Sequence, residues 1–281
     1  MNLQQAYIKA ADSIREADAI LITAGAGIGV DSGLPDFRGN QGFWKAYPFA
    51  RRLGISFMQM ANPHWFDKDP YLAWAFYGHR LNLYRETKPH KGFEILLSWS
   101  KEKVNGYFIF TSNVDGQFQK AGFSENKIVE IHGSIHFLQC IQPCGNDIWP
   151  AESIEVKIDL EQFRAIDPLP KCPFCGQIAR PNILMFGDWF WISLRTQQQE
   201  AFFQSWLDSL QKQNAKLVII EIGAGSAVPT VRITSENLAL TYNAPLIRIN
   251  PREPEISSAV NGISLPIGAL KAIEKINSFL T

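Results

Sequence analysis

The sequence predicts an α/β fold, a doubly wound Rossmann-like parallel sheet with a helical insertion and a smaller module built around cysteines. Three observations lead there. Short apolar runs rich in Ile, Val, Leu and Phe recur along the 281 residues and read as buried strands. Stretches of helical periodicity lie between them, the alternation that builds a mostly parallel sheet. The first apolar run ends directly in glycines and small residues, the turn that lets backbone N–H groups and a helix N-terminus approach a pyrophosphate.

In chain order, residues 3–17 form an amphipathic helix, 19–24 the first buried strand, and 30–34 begin a helix or turn behind the glycines. Residues 41–87 carry Trp44, Tyr47, Trp65 and Trp74 with several candidate helices and no clear strand, which marks a helical insertion. A helix over 92–103 precedes a strand over 106–111, and a further strand covers 128–131. Residues 139–181 hold all four cysteines and a polar, irregular middle. A Gln-rich helix over 195–213 leads into a strand over 216–222, another strand covers 245–250, and a helix over 267–280 closes the chain. The segments 1–44, 88–138 and 182–281 are thus assigned to a Rossmann-like, dinucleotide-binding domain, and 45–87 with 139–181 to a small domain.

Lys+Arg and Asp+Glu both number 27, so the formal net charge is zero and no electrostatic footprint points to nucleic acid or an anionic membrane. The N-terminal helix lacks the uninterrupted apolar core of a signal peptide, and no run approaches the roughly 18 apolar residues of a membrane span. A soluble, cytoplasmic protein is expected.

Four places carry chemistry. Gly25-Ala26-Gly27 follows the first strand, but Val30 stands where the usual dinucleotide fingerprint has its third glycine. A Gly-x-Gly turn alone serves a tight turn as readily as a ligand. Asp36, Phe37 and Arg38 then set an acid, an aromatic and a guanidinium on the loop beside it. Ser112, Asn113 and Asp115 follow the second strand and emerge at the carboxyl end of the sheet, where open α/β sheets bind ligands; read alone, Asn-Val-Asp-Gly is also a turn. His132 ends the next strand. A lone histidine is more often a core residue than a base, yet its ordinary pKa of about 6.5 suits proton abstraction from a hydroxyl near neutrality. His136 reads as structural, and His64, His79 and His90 have no motif around them. Cys140-x3-Cys144 and Cys172-x2-Cys175 are two chelating pairs that supply opposite edges of a tetrahedron, making the small module a zinc-binding one. With four thiolates engaged no position remains for water, so the metal is structural. Two disulfides, disfavoured in a cytosolic chain, and four unrelated buried thiols are the alternatives.

The string from Ala24 to Gly39 resembles the opening motif of the sirtuins, NAD-consuming protein deacylases. Thr111-Ser112-Asn113-Val114-Asp115-Gly116 is similar to the sirtuin Thr-Gln-Asn-Ile-Asp-Gly, with Ser112 in place of Gln. His132-Gly133-Ser134 followed by the cysteine pairs resembles the catalytic histidine and zinc module of that family, apart from the three-residue gap in the first pair. Arg180 to Asp188 resembles the strand and loop that clamp an acyl-lysine peptide, implying Phe186, Gly187 and Asp188 as peptide contacts, with Asp188 replacing Glu. Gly223-Ala224-Gly225 is similar to the adenosine-lining Gly-Thr-Ser loop without its hydroxyls, and Asn250 matches an asparagine near the adenine ribose. The resemblance spans roughly residues 19–253.

It implies NAD, one structural Zn²⁺ and an acyl-lysine protein partner. In the sirtuin scheme the acyl oxygen attacks the anomeric carbon of the nicotinamide ribose, nicotinamide leaves, and His132 takes a ribose proton as the acyl group migrates to ADP-ribose. Asp115 would hold the carboxamide, Asn113 the ribose or its water, and Arg38 and Gly27 the phosphates. Trp189-Phe190-Trp191 would either line an acyl channel or, more readily at that spacing, pack in the core. Phe43-Trp44-Lys45-Ala46-Tyr47-Pro48 also resembles the macrodomain-linked microbial sirtuins, which transfer ADP-ribose to protein and typically lack the histidine. His132 favours deacylation; mono-ADP-ribosyl transfer, NAD hydrolysis and a non-catalytic NAD or ADP-ribose sensor are the other readings.

Overall fold

The computed structural model describes residues 2–36 and 39–280. Phe37 and Arg38, both expected at the cofactor, lie outside the described residues.

Helix α1 (Leu3–Glu16) starts at a capping box in which Asn2 and Gln5 satisfy each other's backbone N–H. Strand β1 (Ala19–Ala24) is buried throughout and passes into a 3-10 turn over Ala26–Ser32 that ends at left-handed Gly33. Four short helices follow, α2 (Gly39–Ala46), α3 (Pro48–Arg52), α4 (Phe57–Met60) and α5 (His64–Lys68). They lead to the long α6 (Pro70–Glu86), whose N-terminus is set by Pro70 and by Asp69 accepting from Leu72 N at 3.1 Å. Next come α7 (Lys91–Lys101), β2 (Tyr107–Thr111), α8 (Gln117–Lys120), β3 (Ile128–Glu130) and β4 (Gly133–Cys140). The cysteine segment adds β5 (Ile148–Pro150), β6 (Lys157–Asp159), β7 (Arg164–Ile166) and β8 (Ala179–Ile183). The chain ends with α9 (Leu194–Gln213), β9 (Leu217–Ile222), α10 (Thr230–Thr241), β10 (Leu246–Ile249), β11 (Gly262–Leu265) and α11 (Ala269–Leu280).

Six strands form one parallel sheet in the order β11-β10-β9-β1-β2-β3. Successive side chains of β1 face opposite sides. Ile20 and Ile22 pack under α1, α7 and α11, whereas Ala19 and Leu21 pack with Phe203 and Leu207 of α9 and Val231 of α10. Helices thus cover both faces, the doubly wound arrangement expected.

Register decides where function can sit. Ala24 pairs with Thr111 on one side and Ile222 on the other, Ile222 pairs with Ile249, and Thr111 with Glu130. Gly25, Ser112, Gly223, Asn250 and the turn holding His132 therefore leave the sheet along one carboxyl edge, on both sides of the reversal in strand order at β1.

Beside this edge, β4 pairs antiparallel with β8 and β5 in a second sheet. A separate core of Phe43, Tyr47, Trp74 and Phe76 joins the helical segment to Ile135 and Leu138 of β4, and Trp74 Nε1 donates to Ala179 O at 2.9 Å.

The structure differs from the sequence reading in detail. Helical turns begin at Ala26 instead of residue 30, because Ile28 N bonds back to Gly25 O at once. The segment read as irregular contains the β6–β7 hairpin. Strand β11, with Gly262 and Ser264 among its four residues, has too few apolar residues, and α10 is too rich in β-branched residues, to stand out in the pattern.

Candidate functional site

Two glycine loops form the floor of the crevice. Gly25 N donates to Ile222 O at 3.0 Å and Gly27 N to Gly223 O at 3.1 Å, locking the turns after β1 and β9 together. Gly223 has φ +66°, and a Cβ there would sit 2.5 Å from Gly27 Cα and Ile28 N. A Cβ on Gly25 would sit 2.8 Å from Ala224 Cα. The loops touch backbone to backbone, which leaves a cradle without side chains for a diphosphate.

Asn250 is fully buried behind this floor. Its Nδ2 donates to Ala224 O at 2.7 Å and its Oδ1 accepts from Arg252 N at 3.0 Å and Glu253 N at 3.1 Å. In this structure the side chain anchors the loop. Glu253, which sequence reasoning passed over, reaches the loop's outer side and accepts from Ser226 N at 2.9 Å and Ser226 Oγ at 2.7 Å, close to Gly225. Asp36 lies 3.7 Å from the Arg252 guanidinium.

After β2, Thr111 Oγ1 donates to Ala24 O at 3.0 Å and accepts from Asn113 N at 3.0 Å; Ser112 N donates to Ala24 O at 3.1 Å. These bonds bend the strand end over the glycine turn, where Asn113 Nδ2 donates to Gly25 O at 3.2 Å. Asp115 is buried and accepts from Gln117 N at 3.0 Å. Burial pushes its carboxyl up to about 6, against the pull of that N–H and of the Arg80 charge. Arg80 is the second group sequence reasoning missed. It is buried on α6 against the rings of Phe76, Tyr77 and Tyr84, and its Nε and Nη2 donate to Tyr84 Oη at 3.1 and 3.0 Å. Only its place one helical turn from Tyr84 and Tyr77 hinted at this.

His132 occupies the turn between β3 and β4. The turn needs Gly133 at φ +75°, since a Cβ there would collide with the carbonyl of Asn182 on β8. Burial lowers the His132 pKa below its ordinary value, and a hydrogen bond with the Ser112 backbone opposes that shift. The ring thus lies beside the Asn113–Asp115 loop. His136 ties β4 to the same loop, its Nε2 being 2.9 Å from Asp115 O.

The segment after β8 runs past this group. Leu184 N donates to His132 O and Phe186 N to Ala61 O, both at 2.9 Å, and Gly187 is exposed beside them. Asp188 behaves otherwise than expected of a peptide contact. Its carboxylate is buried in a two-pronged pair with Arg180, at 2.7 and 2.8 Å. It also accepts from Met185 N at 3.3 Å and Phe190 N at 3.1 Å. It shapes the loop from within. The core-packing expectation for the aromatic run fails at Trp189, 91% exposed, and Phe190, 58% exposed, because the backbone beneath them is held by buried polar side chains, while Trp191 is half-buried.

Cys140 and Cys144 meet Cys172 and Cys175 with all four sulfurs within 4.8 Å of one another. The closest pairs are 3.6 and 3.7 Å apart, far beyond the disulfide bond length of about 2.05 Å and near the edge of a tetrahedron with Zn–S of about 2.3 Å. The four cysteines are free thiols, and their number, chemistry and spacing fit one Zn²⁺ with no open position.

The Sir2 family model matches residues 25–224. Among curated proteins, the chain is similar to the NAD-dependent protein deacylase of Aquifex aeolicus (strain VF5), 29% identical over 242 residues that cover 85% of each chain. A second NAD-dependent protein deacylase, from Aeropyrum pernix, is 30% identical over 253 residues, covering 90% of this chain and 89% of that one. Among solved structures, a Sir2 homolog–NAD complex superposes with a TM-score of 0.70 at 26% identity, over 96% of this chain and 93% of the other. An ADP-ribose complex of a mutant Sir2 homologue gives 0.69 at 27% identity, over 97% and 95%.

Proposed function

Because the chain belongs to the Sir2 family, we propose that it is an NAD-dependent protein lysine deacylase, which passes the acyl group of a modified lysine to ADP-ribose and releases nicotinamide. The observation that carries this reading is the convergence, on one carboxyl edge of the parallel sheet, of the glycine floor, the Asn113–Asp115 loop and the His132 turn, with the segment from Leu184 to Gly187 running alongside. The small domain is the helical segment and the cysteine module together, at the boundaries given above.

In this reading NAD is a substrate held by Gly25, Ala26, Gly27, Asp36, Ser112, Gly223, Ala224 and Gly225, with Phe37 and Arg38 added on the family resemblance alone and Asn250 fixing the adenosine side from behind. Asp115, ionised above about 6, accepts the N–H of the nicotinamide carboxamide and orients the leaving group. Asn113 presents its carboxamide to the ribose or its water. His132 is neutral at pH 7 because burial disfavours its cation, so it receives the ribose proton when the acyl group migrates. Phe186 and Gly187 offer the peptide an extended edge; Asp188 keeps that edge in place. Zn²⁺ in the four thiolates supplies a fixed crosslink and no chemistry at the ribose.

The partner is an acyl-lysine protein; zero net charge gives no attraction to nucleic acid or membranes. Four free thiols gathered at a metal site suit a reducing cytoplasm, and no described helix is long and apolar enough to cross a membrane.

The test is mass spectrometry after incubating the protein with NAD and a mixed acyl-lysine peptide library. Peptide-dependent O-acyl-ADP-ribose is expected. ADP-ribose on protein, or free ADP-ribose without peptide, would move the chain to transfer or hydrolysis, and no nicotinamide release would leave a sensor.

A further inference from the structure

An arginine in the first turn of a helix works against the helix dipole, whose N-terminal end repels a cation. Helix α9 nevertheless opens with Arg195 and has no acid in its first turn. The guanidinium leaves the helix for Glu130, the last residue of β3, with Nη2 at 2.6 Å from Oε2 and the Glu130 side chain 1% exposed. Its Cζ also lies 4.4 Å from the centroid of the Phe137 ring on β4. Two more α9 side chains hold Glu130 by its backbone. Gln199 Oε1 accepts from Glu130 N and Thr196 Oγ1 donates to Glu130 O, both at 3.1 Å. Strand β3 is an edge of the large sheet, and Ile131 N turns inward to Thr111 O, so the Glu130 groups that α9 takes are those pointing away from β2.

Packing alone does not require an ion pair here. Apolar side chains of similar volume are often as good or better at joining two elements, because buried charges lose hydration that their attraction does not always return. What a charge pair supplies at this place is a fixed position and a field beside the crevice. Glu130 stands two residues before His132, so its backbone cannot shift without moving that turn. Its carboxylate is close enough to act on the charge of both Asp115 and His136. Around Asp115, the charge of Arg80 opposes that of Glu130, and Tyr84 of α6 stands near. His136 of β4 touches the Asp115 carbonyl, and burial favours its neutral form; Arg85 and Lys120 face His136 in turn.

We propose that Arg195 is a positioning residue for deacylation: it holds Glu130, and with it the His132 turn, and it balances the negative charge that Glu130 brings near Asp115. The inference rests on the deacylase reading and deepens it. Arg195 touches neither NAD nor peptide in that reading and acts through Glu130. The balance matters because Asp115 accepts from the carboxamide only as the anion, and an unbalanced acid beside it favours the protonated form.

The experiment compares Arg195→Met, Glu130→Gln and Arg195→Lys in the full-length zinc-loaded protein. For each, kcat/KM for NAD at saturating acetyl-lysine peptide is followed against pH, and the peptide KM is read separately. Arg195→Met leaves the Glu130 charge unbalanced, so the acid limb should move up by about 0.5–1 pH unit with peptide KM little changed. Glu130→Gln removes the acid and should move the limb down by a similar amount. Arg195→Lys keeps the charge and should leave the limb in place. A merely structural anchor does not produce opposite shifts from the two halves of one pair, since its loss lowers activity at every pH alike. Shifts in the same direction, or a limb that no variant moves, overturn the proposal. Circular dichroism establishes folding; should Arg195→Met unfold, Arg195→Gln, which removes the charge and retains a donor for Glu130, is read in its place. Wild type that turns over no acyl-lysine peptide defeats the deacylase reading and the positioning role with it, whereas wild-type turnover with an unmoved limb in the variants defeats the positioning role alone.

Discussion

An imidazole can take a proton from a ribose hydroxyl only while it is neutral, and a carboxylate can accept from a carboxamide only while it is ionised. Burial lowers the His132 pKa and raises that of Asp115 to about 6. Asp115 is therefore in its working form above about pH 6, and His132 stays neutral to a lower pH than a free imidazole, so kcat/KM should fall on the acid side as Asp115 is protonated and be flat across neutrality. A pH–rate profile checks this; an acid limb that stays below pH 5 would remove Asp115 from the rate. His132→Ala should reduce kcat by about 10²–10⁴-fold while calorimetry finds NAD affinity kept, and wild-type turnover in the variant would discard the base assignment. Gly223→Ala tests the floor. Its left-handed φ and the backbone of Gly27 at 2.5 Å from a new Cβ leave nothing flexible to yield, so the variant should lose at least about 1–3 kcal/mol and bind NAD weakly. Thermal melts with and without NAD would show it. These residues sit in motifs readable along the chain because each follows its own strand end. That Gly223 packs on Gly27 was not readable, since nearly two hundred residues separate partners that only the β1–β9 register brings together. Asn250 carried the same ambiguity: its identity was plain, but only the fold shows it turned inward toward Ala224.

At the scale of elements, the segment from Leu184 to Gly187, the proposed peptide edge, depends on a charge pair that never reaches the surface. Asp188→Asn would leave the Arg180 guanidinium buried without its counter-charge, which typically costs about 3–5 kcal/mol. The loss should appear in urea unfolding and as a raised KM for peptide, with NAD affinity close to wild type because β1 and β9 are not involved. Unchanged stability would mean that water reaches Arg180. The aromatic run next to this pair shows why pattern alone misleads. Trp-Phe-Trp reads as core when aromatics are assumed to seek burial, and the hydrogen bonds from Gln139 and Asn182 that go with turning Trp189 and Phe190 outward come from two other strands. The fully buried strands β1, β2, β9 and β10 were readable for the opposite reason: buried on both faces, their apolar runs owe nothing to any one distant partner.

Across the whole molecule, the cysteine module and the crevice are coupled through one pair of strands. Cys140 is the last residue of β4, whose first residue is Gly133 in the His132 turn. Its partner β8 pairs Ala179 with Cys140 at one end and Ile183 with Gly133 at the other. A zinc ion joining Cys140 and Cys144 to Cys172 and Cys175 would therefore pin one end of this strand pair, whose other end, beyond a break in register between Leu138 and Ser134, holds Asn182 and Leu184 against the histidine turn. The glycine floor needs none of this, because it hangs from β1 and β9 in the large sheet. Chelation of the metal, or Cys172→Ser, should accordingly melt the small module and abolish deacylation while leaving NAD binding measurable. Metal content, calorimetric unfolding and NAD titration on the same samples would separate the two effects. Full turnover in metal-free protein would break the link between module and crevice. Loss of NAD binding together with turnover would show instead that the two sheets unfold as a single unit.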